Sequence, residues 1–204
     1  MVLIALTGNK GSGKSLVANF LSRHGFLERT FAGPLKDGLA EMLGLSYDQV
    51  HGTQEQKEAI DPFWGVSARR LLQVVGTELF RDYLPKLIPE MRNVWIRRME
   101  KELDGIQSYA NRDICISDVR FADEADFIHE RGGVVIKLVR GSFASAATKP
   151  RTWFEYFAAL FGRKNATDTH ASETQDVPYD YLIENKGTKE ELCAQLLAIL
   201  DKLK

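Results

Sequence analysis

Val2-Leu3-Ile4-Ala5-Leu6-Thr7-Gly8-Asn9-Lys10-Gly11-Ser12-Gly13-Lys14-Ser15 joins an apolar run to a glycine-rich one near the amino terminus. From Gly8 to Ser15 it satisfies G-x-x-x-x-G-K-[ST], the phosphate-cradling pattern of nucleoside-triphosphate-binding proteins. The apolar run predicts a buried strand. Leu16, Val17, Phe20 and Leu21 predict a helix immediately after the loop. That order of strand, loop and helix is what the chemistry requires. Glycines let the backbone approach a phosphate and take positive φ, and the helix start presents N–H groups and a positive dipole end. On this reading Gly8, Lys10, Gly11, Ser12 and Gly13 wrap the phosphates, Lys14 reaches the β and γ groups, and the Ser15 hydroxyl holds Mg²⁺. The competing reading is a glycine-rich turn with an exposed lysine.

Further apolar runs predict strands at Glu28–Phe31, Ile114–Ser117, Val134–Val139 and Tyr181–Glu184. Helical patterns separate them at Ser15–His24, Leu35–Leu43, Ser67–Tyr83, Val94–Leu103, Ala122–Arg131 and Thr188–Leu203. Ser67 is a natural N-cap, Thr188 with Glu191 forms a capping box, and Gly132-Gly133 stops the helix before it. Strands alternating with helices predict a three-layer α/β/α fold on a five-stranded parallel sheet, with ligands at the carboxyl ends of the strands. Two segments interrupt the alternation. Ser46–Gly65 is polar and reads as a mobile excursion, and Gly141–Thr174 is a long insertion.

The chain has 204 residues, 44% hydrophobic, with 27 basic against 28 acidic side chains. That suits one folded unit with a real core and argues against broad or sequence-specific nucleic-acid binding. No run is long enough to span a bilayer and no signal peptide is evident, so cytoplasm is the default (the host's, if a phage encodes the chain) and no membrane partner is expected. Cys115 and Cys193 lie among apolar residues and read as free thiols.

Strand ends carry the remaining chemistry. Asp118 follows the third strand and is a candidate Mg²⁺ ligand; Arg120 beside it can clamp a phosphate, or pair with Glu124. Pro34 marks a helix start after Phe31-Ala32-Gly33, which puts Lys36 near an anion-favouring helix end. Arg69 and Gln73 share a helix face, with Arg70 and Arg81 nearby, and taken alone that pattern is better explained by a solvated face with salt bridges to Glu78 or Asp82. Arg140 leaves the sheet directly into the insertion, which adds Lys149, Arg151, Arg163 and Lys164. Phosphoryl transfer needs such cations on closing segments, and Arg140 is the best placed, ahead of Arg151. The aromatic stretch Trp153–Phe161 puts Phe154, Phe157, Leu160 and Phe161 on one face, for packing, a subunit contact or a surface. His170 and Glu173 have no partners at zinc-ligand spacing.

Taken together, Phe31–Lys36, Arg69–Glu78, Asp118–Phe121 with Glu124, Gly132–Ile136 leading to Arg140, Asp168–Glu173 and Ile183–Thr188 resemble the phage-type deoxynucleoside monophosphate kinases in order and spacing. The resemblance spans nearly the whole chain. It implies an adenylate-kinase-like P-loop fold in a single domain, 1–204, with a helical acceptor-binding region at 32–110 and a lid at 140–174. It implies ATP-dependent conversion of a deoxynucleoside monophosphate to its diphosphate, with ATP and Mg²⁺ bound by Gly8–Ser15. Carried over by position, Lys36, Arg69, Gln73 and Arg120 bind the acceptor, Arg140 and Arg151 act from the lid, and the Asn185–Gly187 turn borders the adenine. Arg69 and Arg70 stay undivided on this evidence, and Phe31 or Trp64 could discriminate at the sugar. The family is often dimeric, so a homodimer is admitted. Dephospho-coenzyme A or phosphomevalonate kinases, a non-catalytic nucleotide switch and a single-strand-binding module are the rival readings.

Overall fold

A computed structural model describes residues 1–110, 112–140 and 176–203. Five parallel strands form one sheet: β1 (Leu3–Thr7), β2 (Leu27–Arg29), β3 (Ile114–Ile116), β4 (Val134–Arg140) and β5 (Tyr181–Asn185). Their order is β2-β3-β1-β4-β5, so the glycine-rich loop leaves the central strand. Register is fixed by Leu3 opposite Ile114, Ile4 opposite Val134 and Ile136 opposite Tyr181.

Alternation along the strands sorts the core into two layers. Ile4 and Leu6 of β1 pack with Ile136, Leu138 and Ile183 against α1 (Lys14–Arg23) and the last helix, through Val17, Leu21, Leu192 and Leu196. Leu3 and Ala5 face the other way and join Ile114, Ile116 and Val135 against Met99, Leu103, Ala125 and Ile128 of two other helices. The result is the predicted three-layer α/β/α arrangement, with successive side chains of one strand serving opposite layers. Cys115 is buried and Cys193 half-buried, and both are free thiols as expected. No helix among the described residues is long and apolar enough to cross a membrane.

Between β2 and β3 the chain is helical. α2 spans Gly33–Leu43, with Pro34 in its first turn as the sequence predicts. Ser46–Gly65, expected as a mobile excursion, instead forms α3 (Tyr47–His51) and α4 (Gln54–Glu58). Ser46 with Gln49 and Thr53 with Gln56 make reciprocal capping boxes that satisfy the orphan amides of each short helix. Asp61 then ties the following turn by accepting from the amides of Phe63 and Trp64.

The helix predicted over 67–83 begins at Ser67, whose hydroxyl accepts from the Arg70 amide. It is not uniform: α5 (Ala68–Gln73) passes into a π-helical stretch, Val74–Tyr83, and then α6 (Leu84–Leu87). The wider turn has a local consequence, because the Gly76 carbonyl accepts from Trp95 Nε1 at 2.9 Å. π-helical turns are rare and concentrate at functional sites. α7 runs from Val94 to Tyr109, six residues beyond the predicted end at Leu103. α8 (Ala122–Glu130) stops at Gly132, φ +71°, and α9 (Lys189–Leu203) starts at the Thr188–Glu191 box as predicted.

Candidate active site

The loop from Gly8 to Ser15 carries three glycines with positive φ: Gly8 (+134°), Gly11 (+77°) and Gly13 (+110°). Two are also held by packing. A Cβ on Gly8 would lie 2.2 Å from the Leu138 carbonyl oxygen, and one on Gly13 would lie 2.7 Å from Asn185 Nδ2. Lys14 Nζ donates to the carbonyl of Asn9 at 3.0 Å and to that of Gly8, so its ammonium spans the loop. The sheet brings two further predicted residues to the same place. Asn185, at the end of β5, donates to the Ser12 carbonyl at 3.0 Å, and Arg140, at the end of β4, reaches the Gly11 carbonyl at 3.4 Å. Ser15 is exposed at the start of α1. Ser12 Oγ is buried without a hydrogen-bond partner among the described residues. Gly187 lies beyond Asn185, pressed by the Glu191 carboxylate that caps α9.

A second concavity opens between the ends of β2 and β3 and helices α2, α4 and α5. Phe31, Lys36, Arg69, Gln73 and Arg120 all line it. These are residues the sequence assigned to an acceptor, drawn from three separate segments. Arg70 does not join them: it is exposed and sits 3.7 Å from Glu78. Of the two neighbouring arginines, Arg69 alone lines the concavity. Trp64 is also outside, exposed, with Nε1 donating to the Leu43 carbonyl.

Asp118 lines the same cavity rather than standing alone beside the loop. Its two oxygens accept from the amides of Phe31 (2.8 Å) and Ala32 (3.0 Å), pinning the turn that precedes α2 to the end of β3. Desolvation raises its pKa, opposed by those two amides and by Arg120 and Lys36. Asp118 is thus also a brace of the cavity wall, each of its oxygens accepting one backbone amide. Among the described residues no group of three or more His, Cys, Asp or Glu could hold a metal.

One cationic wall residue escaped the sequence reading. Lys57 enters from α4, a segment taken for a loop. Arg81 and Glu124 form the far end. Arg81 Nη1 donates to both oxygens of Asp123 at 3.0 and 2.7 Å, and Nη2 donates to Glu124 Oε1 at 2.6 Å. The guanidinium also lies 3.7 Å over the Phe121 ring. Glu124 is 3% exposed, and its other oxygen accepts from the amides of Arg120 and Phe121. Burial pushes its pKa up to about 7 against the pull of Arg81. The expected pairing of Arg120 with Glu124 thus runs through the Arg120 backbone, leaving the guanidinium on the cavity.

The lid at 140–174 and its residues Arg151, Lys149, Arg163, Lys164, His170 and Glu173, with the aromatic stretch 153–161, lie outside the described residues apart from Arg140.

No protein-family model matches the chain. A protein of Acanthamoeba polyphaga mimivirus, provisionally named a deoxynucleotide monophosphate kinase, is 39% identical over 208 residues, covering 98% of this chain and 97% of its own. Among solved structures, a dephospho-CoA kinase from Campylobacter jejuni aligns over 98% of this chain and 96% of its own, at 14% identity and TM-score 0.49. A protein from Thermus thermophilus aligns over 100% and 98%, at 18% identity and TM-score 0.47. The similarity to the mimivirus protein covers nearly the whole of both chains, and on it the chain belongs to the deoxynucleotide monophosphate kinase family.

Proposed function

We propose that this kinase transfers the γ-phosphoryl group of ATP to the 5′-phosphate of a deoxynucleoside monophosphate, giving ADP and the deoxynucleoside diphosphate. The observation that carries this reading is one cavity wall that combines Lys36, Arg69 and Arg120 with Phe31, Leu72 and Trp95. A dianionic phosphate attached to a flat, partly apolar base needs that combination.

In this reading the amides of Gly8–Ser15 hold the triphosphate and Lys14 swings from the loop carbonyls onto its β and γ oxygens. The Ser15 hydroxyl would hold Mg²⁺, whose charge would offset that of the triphosphate. The cradle supports this fit: its glycine conformations exclude side chains from the nest, and a cation already crosses it. Asp118 braces the turn before α2 and would assist Mg²⁺ binding directly or through water. Lys36, Arg69 and Arg120 hold the acceptor phosphate, and Gln73 addresses the base. Arg140 stands next to Gly11 to meet the transferring group, with Arg151 assigned to the lid. Asn185 and Gly187 border the adenine.

The reaction needs no catalytic base. A phosphate monoester has its second pKa near ~6, so an ionised oxygen is present at neutral pH. That oxygen forms a bond to the γ-phosphorus while the bond to the β–γ bridging oxygen breaks, and ADP leaves with the electron pair. The protein supplies alignment, charge and exclusion of water.

A coupled ADP-release assay with each dNMP and NMP in turn tests the proposal, with dephospho-coenzyme A and phosphomevalonate as further arms. ADP release that requires a deoxynucleoside monophosphate is the expected result. Release that ignores every monophosphate, or that requires dephospho-coenzyme A or phosphomevalonate instead, overturns it.

A further inference from the structure

Lys57 lies on α4 and projects into the acceptor cavity between Lys36, Arg69 and Arg120, four cations around one wall. Charges of one sign repel at such range, and a fold gathers them where an anion will be held. Asp118 is a carboxylate on that wall, and its oxygens are engaged by two amides. Among the described residues, Lys36, Lys57 and Arg120 form no ion pair. The neighbour of Lys57 is ion-paired. Glu58 bonds Lys10 of the glycine loop at 2.5 Å and stands 3.8 Å from Arg69 Nε. A five-residue helix therefore has adjacent side chains with different partners, and the Lys10–Glu58 contact joins α4 to the glycine loop.

We propose that Lys57 is a ligand of the acceptor's phosphate, and that Glu58 is a positioning residue that holds α4 to the glycine loop so that Lys57 reaches it. The inference rests on the reading of the cavity as the site of a nucleoside monophosphate and adds a binding residue to it. The electrostatics agree: Lys57 titrates below the ordinary lysine range, from partial burial first and from Lys36, Arg69 and Arg120 next. A phosphate dianion relieves that crowding, which a neutral ligand does not.

The test compares equilibrium binding of a deoxynucleoside monophosphate, the corresponding nucleoside and a non-hydrolysable ATP analogue to wild type, Lys57→Met, Lys57→Arg and Glu58→Gln. A lost hydrogen bond to a charged group corresponds to roughly 10-fold or more in affinity. Lys57→Met should weaken the monophosphate by about that factor while nucleoside and ATP-analogue affinities hold, the latter showing that the protein is folded. Lys57→Arg should restore most of the loss. Glu58→Gln should weaken the monophosphate by a smaller factor that vanishes in the Lys57→Met background, because it acts through Lys57. Monophosphate affinity in Lys57→Met within twofold of wild type overturns the inference, as does an equal loss for nucleoside and monophosphate. Wild-type protein that binds the ATP analogue but no monophosphate overturns the reading of the cavity itself, and this inference with it.

Discussion

At the scale of single residues, the proposed function assigns Lys14 to the donor and Arg69 to the acceptor. Lys14 bridges loop carbonyls and would exchange them for phosphate oxygens that gain charge in the transition state. Lys14→Ala should lower kcat by on the order of 100-fold or more, as loss of other preorganised charge stabilisers does. Steady-state rates of ADP formation check this, and an unchanged kcat would remove the loop from the chemistry. Arg69 and Arg70 are neighbours in sequence on different faces of α5. Arg69→Ala should raise the acceptor KM roughly 10- to 100-fold, whereas Arg70→Ala, losing an exposed contact to Glu78, should stay within about twofold. Titrating the acceptor at saturating ATP measures both. Equal effects would mean that the cavity wall is not the acceptor site.

At the scale of elements, the glycine loop is specified by conformation and by crowding together. Gly13 holds φ +110° where its Cβ would collide with Asn185, the residue that ties β5 to the loop. Gly13→Ala should therefore cost about 1–3 kcal/mol of stability from the backbone alone. It should also abolish ATP-analogue binding, since relief comes only by moving the nest or Asn185. Urea unfolding and calorimetry read the two effects separately; wild-type values in both would show the strain to be absorbed elsewhere. α3 and α4 make a complementary point. Neither is long enough to display a helical period, yet Ser46-x-x-Gln49 and Thr53-x-x-Gln56 are capping boxes written in the sequence. Reading those pairs would have replaced a loop by two helices and drawn notice to Lys57.

At the scale of the whole molecule, Arg81 fastens the π-helical stretch to α8, joining the acceptor wall to the sheet. Its partner Glu124 is buried, and removing the carboxylate leaves two amides unpaired and half of the guanidinium's partners gone. Glu124→Ala should destabilise by about 3 kcal/mol, more than a surface carboxylate would. The same group shapes the pH response. Its pKa stands near 7 in the folded state against 4.5 for the unperturbed side chain. The folded protein therefore holds this proton more tightly. The resulting stabilisation is complete below about pH 4.5 and is lost as pH rises through 7. Glu124→Gln should flatten the decline in unfolding free energy between pH 5 and pH 8, measured by denaturant titration. A decline as steep as wild type would assign it to another group.

The stretch from Val2 to Ser15 determined a great deal unaided. Strand, nest and helix are encoded locally, by hydrophobic period, by glycine at positions of positive φ and by a lysine at fixed spacing. The five parallel strands and the N-caps at Ser67 and Thr188 are legible for the same reason: their signals lie within a few residues. Strand ends and a helix face offered Lys36, Arg69, Gln73 and Arg120 as candidates, the family resemblance assigned them to the acceptor, and the structure gathers them on one wall. What the tertiary structure alone decided is which groups face one another across long separations. Asp118 meets the Phe31 and Ala32 amides, Arg81 meets Glu124, and Lys57 stands among cations from α2, α5 and the end of β3. Burial and charge at such places are sums over segments distant in the chain, so no single window of sequence contains them.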